Sequence, residues 1–315
     1  MQSENFKPAY LKTYNDGLFQ GKIEAAFQIL EKCTLCPRNC EVNRLKEEKG
    51  FCEAALLPEV SSSSPHFGEE NPLVGHHGSG TIFMTHCSLK CLFCQNFSIS
   101  HLGEGHKISY ERLGKMMIEL QRIGCHNINF VSPTHYVPQI LKALLYAVEK
   151  GLSVPLVYNT GGYDSVQTLK LLEGIFDIYM PDFKYSDSKT AQKYSQASDY
   201  PSIVKLALKE MFRQVGDLIL DERDIALKGL LVRHLVLPQG LAGTKDVMSF
   251  LASEISKNTY VNIMDQYYPC GKIPADSPLS RRITQEEFNE AVEAAKKKGI
   301  TRLDKREKLR LIWRL

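Results

Sequence analysis

The chain has 315 residues, 43% hydrophobic and 24% charged, the balance of a globular protein with a full core. Lys and Arg number 39 against 36 Asp and Glu, so a net charge of +3 gives no electrostatic case for binding nucleic acid or a membrane surface. The opening MQSENFKPAYLKTY lacks a long apolar run and no stretch approaches a membrane span; a cytoplasmic location is expected, where nine cysteines serve metal chemistry before disulfides.

Residues 16–31 read as a helix leading into the segment 33–52. There CTLCPRNC followed by GFC sets Cys33, Cys36, Cys40 and Cys52 at C-x2-C-x3-C-x11-C spacing. Four thiols this close, with Pro37 and Gly50 supplying tight turns, make a closed tetrathiolate site. It would hold either a zinc ion or a second [4Fe–4S] cluster, and the spacing does not choose between them. Next comes SSSSPHFGEENPLVGHHGSG, residues 61–80, read as a polar connection with little periodicity. Its His66, Glu69, Glu70, His76 and His77 suit a metal site, though such a loop is more often solvated or caps a barrel. The expected division is therefore 1–77 (helix, four-cysteine segment and linker) and 78–315 (catalytic domain and tail).

From residue 80 onward strands and helices alternate. GTIFMTHC is a short apolar strand ending on a thiol. After it, Leu113, Met116, Met117 and Leu120 share one helical face. NINFV, VPLVY, FDIYM, LVRHLV and TYVNI are further strands separated by helical stretches. A late helix opens at Thr284 with Glu287 three positions on, a capping box, and stops at Gly299. Alternation of this kind implies parallel strands with right-handed crossovers, and six such units favour an α/β fold of the partial (β/α)6 TIM-like barrel type over a flat sheet. The tail KREKLRLIWRL reads as an amphipathic docking segment, with Trp313 covering apolar surface.

Chemistry concentrates in THCSLKCLFCQN, which sets Cys87, Cys91 and Cys94 within eight positions just after the first barrel strand. Barrels of parallel strands carry their chemistry in the loops at the strand carboxyl ends. Three thiolates hold three irons of a cubane [4Fe–4S] cluster and leave the fourth iron open to a substrate or cosubstrate.

This spacing, C-x3-C-x2-C with Phe93 before the last cysteine, resembles the radical S-adenosylmethionine (SAM) superfamily. The resemblance is strongest to the branch containing pyruvate formate-lyase activating enzyme, over roughly residues 78–270. It implies that SAM chelates the open iron and that Phe93 lies against the adenine. One electron then cleaves the sulfonium to methionine and a 5′-deoxyadenosyl radical that abstracts hydrogen from substrate. VYNTGG, Tyr158 to Gly162, is similar to the family loop that approaches the SAM ribose and a monovalent cation, which implicates Asn159, Thr160 and Gly161. MPDFK (Met180, Asp182, Lys184) is similar to the Asp-x-Lys arrangement. The match implies that Lys184 meets the SAM carboxylate and that Asp182 and Asn159 lie near the cation. VRHLVLPQG makes Arg233 a candidate SAM contact. The family also implies a flavodoxin- or ferredoxin-type electron donor and either a protein substrate, a glycine of a glycyl radical enzyme, or a small molecule. A non-catalytic iron–sulfur or zinc carrier is a third reading. One slot departs: where the family has Gly-Gly-Glu to accept the SAM amino group, this chain has VSPTHYVP, leaving Ser132, Thr134 or His135 to substitute. His86 is a candidate for tuning the cluster by hydrogen bonding, while Cys125 and Cys270 read as ordinary packing thiols.

Overall fold

The computed structural model describes residues 6–304; the tail with Trp313, expected as a docking segment, lies outside the described residues. Nine strands form one mixed sheet: β1 (Glu59–His66), β2 (Ser79–Met84), β3 (His106–Lys107), β4 (Ile128–Val131), β5 (Leu156–Thr160), β6 (Ile178–Pro181), β7 (Ile219–Leu220), β8 (Ala226–Leu235) and β9 (Tyr260–Met264). Six of them pair in parallel in the order β2-β4-β5-β6-β8-β9, and each derives from an apolar run anticipated in the sequence. Every residue of β5 and β6 is buried, the pattern of strands covered on both faces.

Helices cross between consecutive parallel strands. Tyr110–Ile123 follows β3 and buries Leu113, Met117 and Leu120 as its 3.6-residue period requires, with Ser109 accepting the Arg112 N–H as its N-cap. Val137–Glu149 follows β4, Val166–Leu171 follows β5, and Tyr200–Val215 lies between β6 and β8. The late helix, Gln285–Lys297, carries the expected capping box between Thr284 and Glu287.

Two segments differ from expectation. The polar run 61–66 is not a connection: it belongs to β1, which pairs antiparallel with β2 and with β3. Backbone pairing needs no apolar side chains, and the alternating exposure along SSSSPH fits a strand with one face against the domain. The N-terminal helix begins at Phe19 rather than Asp16, and a further helix, Ala9–Asn15, precedes it. That first helix is docked by Asp177 at the start of β6. The buried carboxylate accepts the Ala9 N–H at 2.8 Å on one oxygen and the Leu156 N–H at 3.0 Å on the other. Glu70, just past β1, is fully buried and accepts from Asn262 Nδ2 of β9 at 2.7 Å. This bond ties the connection between β1 and β2 to β9, the last strand of the parallel run. No helix among the described residues is long and apolar enough to cross a membrane.

Candidate functional site

The loop after β2 turns sharply at His86 and Lys90, both with left-handed backbone (φ +65° and +49°). Each immediately precedes a cysteine of the triplet, so the two turns help set the directions of Cys87 and Cys91. Each sulfur accepts one hydrogen bond. The Leu89 N–H donates to Cys87 Sγ at 3.4 Å, the Ser195 hydroxyl to Cys91 Sγ at 3.0 Å, and the Ser100 hydroxyl to Cys94 Sγ at 3.2 Å. Burial is the main force on the thiols of Cys91 and Cys94, pushing both up, Cys94 to about 12. Uncharged thiols are thus favoured until a metal replaces the protons.

All three cysteines border one cavity of about 380 Å³ at the carboxyl ends of the parallel strands. Small-molecule sites occupy about 300–1,000 Å³. Phe93, Asn159, Thr160, Gly161, Asp182, Lys184 and Arg233, the residues implicated by sequence, all line it. Phe93 is buried with ring edges of Tyr185, Tyr194 and Tyr267 packed round it, at centroid distances of 6.2, 6.5 and 5.9 Å.

The polar residues interlock. Asp182 accepts from Arg233 Nε at 2.7 Å and from Lys184 Nζ at 2.5 Å, while Arg233 Nη2 donates to Asn159 Oδ1 at 2.6 Å. Burial pushes the Asp182 carboxyl up, but Arg233 and then Lys184 outweigh it and hold the group below the usual carboxylate range. For Lys184, burial opposes the charge and Asp182 and Cys91 restore it, leaving the ammonium charged. Gly162 (φ +78°) lets the loop after β5 pass close to β6: a Cβ there would stand 2.3 Å from the Asp182 carbonyl oxygen. Tyr200 ties the same two loops, its hydroxyl lying 2.9 Å from Gly161 O and 2.8 Å from Asp182 O and accepting the Lys184 N–H at 2.9 Å.

Of the three residues considered for the Gly-Gly-Glu slot, only Ser132 borders the cavity. Thr134 instead donates to the buried Asp164 at 2.7 Å, and His135 Nε2 meets Thr85 O at 2.8 Å. Burial pushes the His135 imidazole down to about 3, so it is neutral. A carboxylate does enter the cavity from elsewhere: Glu69, whose side chain is 8% exposed, stands 3.8 Å from Arg233 Nη1 and 3.4 Å from His66 Nδ1, and both Glu69 and His66 are lining residues. This segment, for which a metal site, a solvated loop and a barrel cap were all open readings, thus brings two of its side chains to the cavity. His86 also borders the cavity, with Nε2 at 3.4 Å from Glu59 and Nδ1 making no hydrogen bond. Cys270 does not; its thiol donates to Phe93 O at 3.2 Å. Cys125 is buried packing.

Sequence reasoning missed Ser195, Ser100, Tyr200 and Asp164. The last is buried and accepts hydroxyl bonds from Thr134, Tyr158 and Thr160, fixing the loop after β5 from behind. Ser195 and Tyr200 reach partners far along the chain; Ser100 and Asp164 lie close in sequence to Cys94 and to Tyr158 and Thr160, but no recognised motif marks those spacings.

The four N-terminal cysteines converge separately. Cys33, Cys36, Cys40 and Cys52 all line a second, small cavity with Arg44 and His135. Arg38, inside this loop, spans the gap to the triplet: Nε donates to Ser88 O at 2.9 Å, Nη2 to Ser195 O at 2.9 Å, and Nη1 to Gln196 O. Its guanidinium also stacks on Phe51, 3.8 Å from the ring centre.

No protein-family model matches the chain. The uncharacterized protein MJ0674 of Methanocaldococcus jannaschii is 33% identical over 304 residues, covering 93% of this chain and 83% of that protein. Among solved structures, the crystal structure of HydG, a maturase of the [FeFe]-hydrogenase, shares the fold with a TM-score of 0.50 at 12% identity. The match covers 71% of this chain and 49% of HydG, so the chain spans about half the length of that structure.

Proposed function

This chain belongs to the family of the uncharacterized protein MJ0674, and we propose that it is a radical SAM enzyme built on a partial β/α barrel. The observation that carries the reading is the meeting of Cys87, Cys91 and Cys94 with Asp182, Lys184 and Asn159 around one cavity. The bond from Glu70, in the connection leading into β2, to Asn262 of β9 supports a barrel, since it brings the approach to the first parallel strand against the last.

The donor set fits the cofactors. Three thiols with one hydrogen-bond donor each suit a [4Fe–4S] cluster with one iron left to SAM. Bound together, cluster and SAM supply a one-electron cleavage of the sulfonium that yields methionine and a 5′-deoxyadenosyl radical able to take a hydrogen atom from substrate. The protein's part is positioning. Lys184 offers its ammonium to the SAM carboxylate, Asn159 and Thr160 offer oxygens towards the ribose, and Phe93 packs against the base. Asp182 and Asn159 provide oxygens for a monovalent cation. Arg233 holds Asp182 and Asn159 in register, a positioning role more than a direct contact. Glu69 takes the part of the missing Gly-Gly-Glu carboxylate in balancing charge within the cavity. The electron comes from a flavodoxin- or ferredoxin-type donor.

For substrate, the resemblance favours a glycine in a partner glycyl radical enzyme. A second reading, a small molecule or another peptide, is favoured by His66 and Glu69, which carry imidazole and carboxylate into the cavity.

Protein purified without oxygen and mixed with dithionite and SAM should release 5′-deoxyadenosine, and the Cys91→Ala variant should release none. A fully loaded wild type that does no better than the variant overturns the reading. A glycyl radical doublet in a partner protein, seen by electron paramagnetic resonance, selects the first substrate class.

A further inference from the structure

The hydrogen bond on Cys94 differs from the other two in what stands behind it. Ser100, in the short helix Phe97–Leu102, is 6% exposed, and its hydroxyl donates to Cys94 Sγ at 3.2 Å. The same oxygen lies 2.9 Å from Nδ1 of its neighbour His101. A hydroxyl has one proton to give. That proton is free for the sulfur when Nδ1 carries its own and donates to the Ser100 oxygen. A bare Nδ1 competes for it.

The His101 ring is held in place. It stacks on Phe97, one helical turn earlier, with centroids 4.1 Å apart and planes 16° from parallel. The backbone carbonyl of Lys90, between the first two cysteines of the triplet, accepts a hydrogen bond from the imidazole. A neutral ring that keeps its one proton for Lys90 leaves Nδ1 bare, whereas a charged ring serves Lys90 and Ser100 together. Burial is the largest influence on the imidazole and holds it below its ordinary value. The Lys90 and Lys272 ammonium groups act in the same direction, and the Lys90 carbonyl and the Glu53 carboxylate oppose them. Near neutral pH the ring is therefore uncharged, and adding a proton to it changes the bond on the sulfur.

We infer that His101 is a positioning residue for the triplet: its protonation hands the Ser100 hydroxyl to Cys94 and makes the cluster easier to reduce. The inference rests on the proposed [4Fe–4S] cluster at Cys87, Cys91 and Cys94. Hydrogen bonds to the sulfurs help set a cluster's potential, and a reduced, more negative cluster in turn favours the charged ring. One electron from the donor protein is accompanied by up to one proton taken from solvent at His101, and both leave again on oxidation.

The test is the midpoint potential of the SAM-responsive signal, followed by electron paramagnetic resonance in redox titrations of the full-length chain purified without oxygen, over about pH 5.5 to 8.5. Wild type is expected to become harder to reduce as pH rises through the titration of His101, by at most about tenfold in the equilibrium constant per pH unit, or about 59 mV for one electron. His101→Phe keeps the stack and frees the hydroxyl for the sulfur, so its potential should be independent of pH and match the low-pH limit of wild type. Ser100→Ala removes the proton altogether, so its potential should also be independent of pH but lie at or below the high-pH limit. Side chains that only filled space would not separate the two variants in this way. A flat wild-type profile overturns the inference, and so does a His101→Phe protein that keeps the wild-type slope. Should His101→Phe fail to fold, the other two proteins decide: a slope in wild type that is absent from Ser100→Ala sustains the inference, and equal slopes overturn it. A wild-type triplet that takes up no iron is a different result, which sinks the radical SAM reading and this inference with it.

Discussion

Ser195 donates its hydroxyl to Cys91 Sγ at 3.0 Å, joining two residues 104 positions apart. The same oxygen lies 2.8 Å from the Tyr185 hydroxyl, so a short polar chain ends on the one fully buried sulfur of the triplet. Hydrogen bonds to a cluster's sulfurs stabilise its reduced, more negative state. Ser195→Ala should therefore move the triplet cluster to a more negative potential and lower activity by about 10- to 100-fold while iron is retained. Redox titration followed by electron paramagnetic resonance reads the shift; an unchanged potential would remove the proposed role of Ser195.

Lys184→Met keeps most of the stem packing and deletes the charge. Losing one charge-assisted contact costs about 1.5–3 kcal/mol, so SAM should bind roughly 10- to 100-fold more weakly with iron content unaltered. Equilibrium dialysis with labelled SAM measures this directly. Equal affinity in the two proteins means that Lys184 serves Asp182 alone.

Gly162→Ala places a Cβ 2.3 Å from the Asp182 carbonyl oxygen at a φ of +78°. Both the clash and the left-handed backbone act against it, and a loss of about 1–3 kcal/mol or more is expected. Urea denaturation checks the stability. SAM binding should weaken too, because the loop carrying Asn159 would have to move off β6.

Burial lifts the Asp177 carboxyl to about 7, outweighing the two N–H groups that favour its ionised form. The folded state then holds a proton that the unfolded chain releases near pH 4. Stability from this group is present below pH 4 and is lost as pH rises to 7, at up to about 1.4 kcal/mol per pH unit, with no further change above. Denaturation midpoints measured from pH 4.5 to 8 should show this slope. Asp177→Asn should flatten it, and a variant that keeps the slope would assign it to other groups.

Arg38→Lys replaces a fork with a point charge that cannot serve Ser88, Ser195 and Gln196 together. A loss of about 1.5–3 kcal/mol in stability is expected, along with faster bleaching of the triplet cluster in air. Bleaching at the wild-type rate would show that the clamp does not shelter the triplet.

Much of the architecture was legible because buried parallel strands read as unbroken apolar runs. VPLVY and FDIYM needed no partner information to be recognised as β5 and β6. The thiols were legible by spacing alone. Strand β1 was not, since SSSSPH pairs through its backbone and its composition is that of a loop. Glu69 was legible only as one of five candidates in a polar segment: its cavity is made by strands that follow it in the chain, and nothing beside it announces them. Ser195 and Tyr200 are ordinary helix residues until the fold sets them beside Cys91 and Lys184.

The reach of Arg38 also bears on the order in which the protein is made. Its acceptor at Ser195 is translated 157 residues later, so the full clasp of Arg38 closes only after β6 and the helix beyond it have left the ribosome. Until that moment the four-cysteine loop is joined to the sheet only through partners made earlier, Arg38 to Ser88, Arg44 to His135 and Leu35 to Thr168.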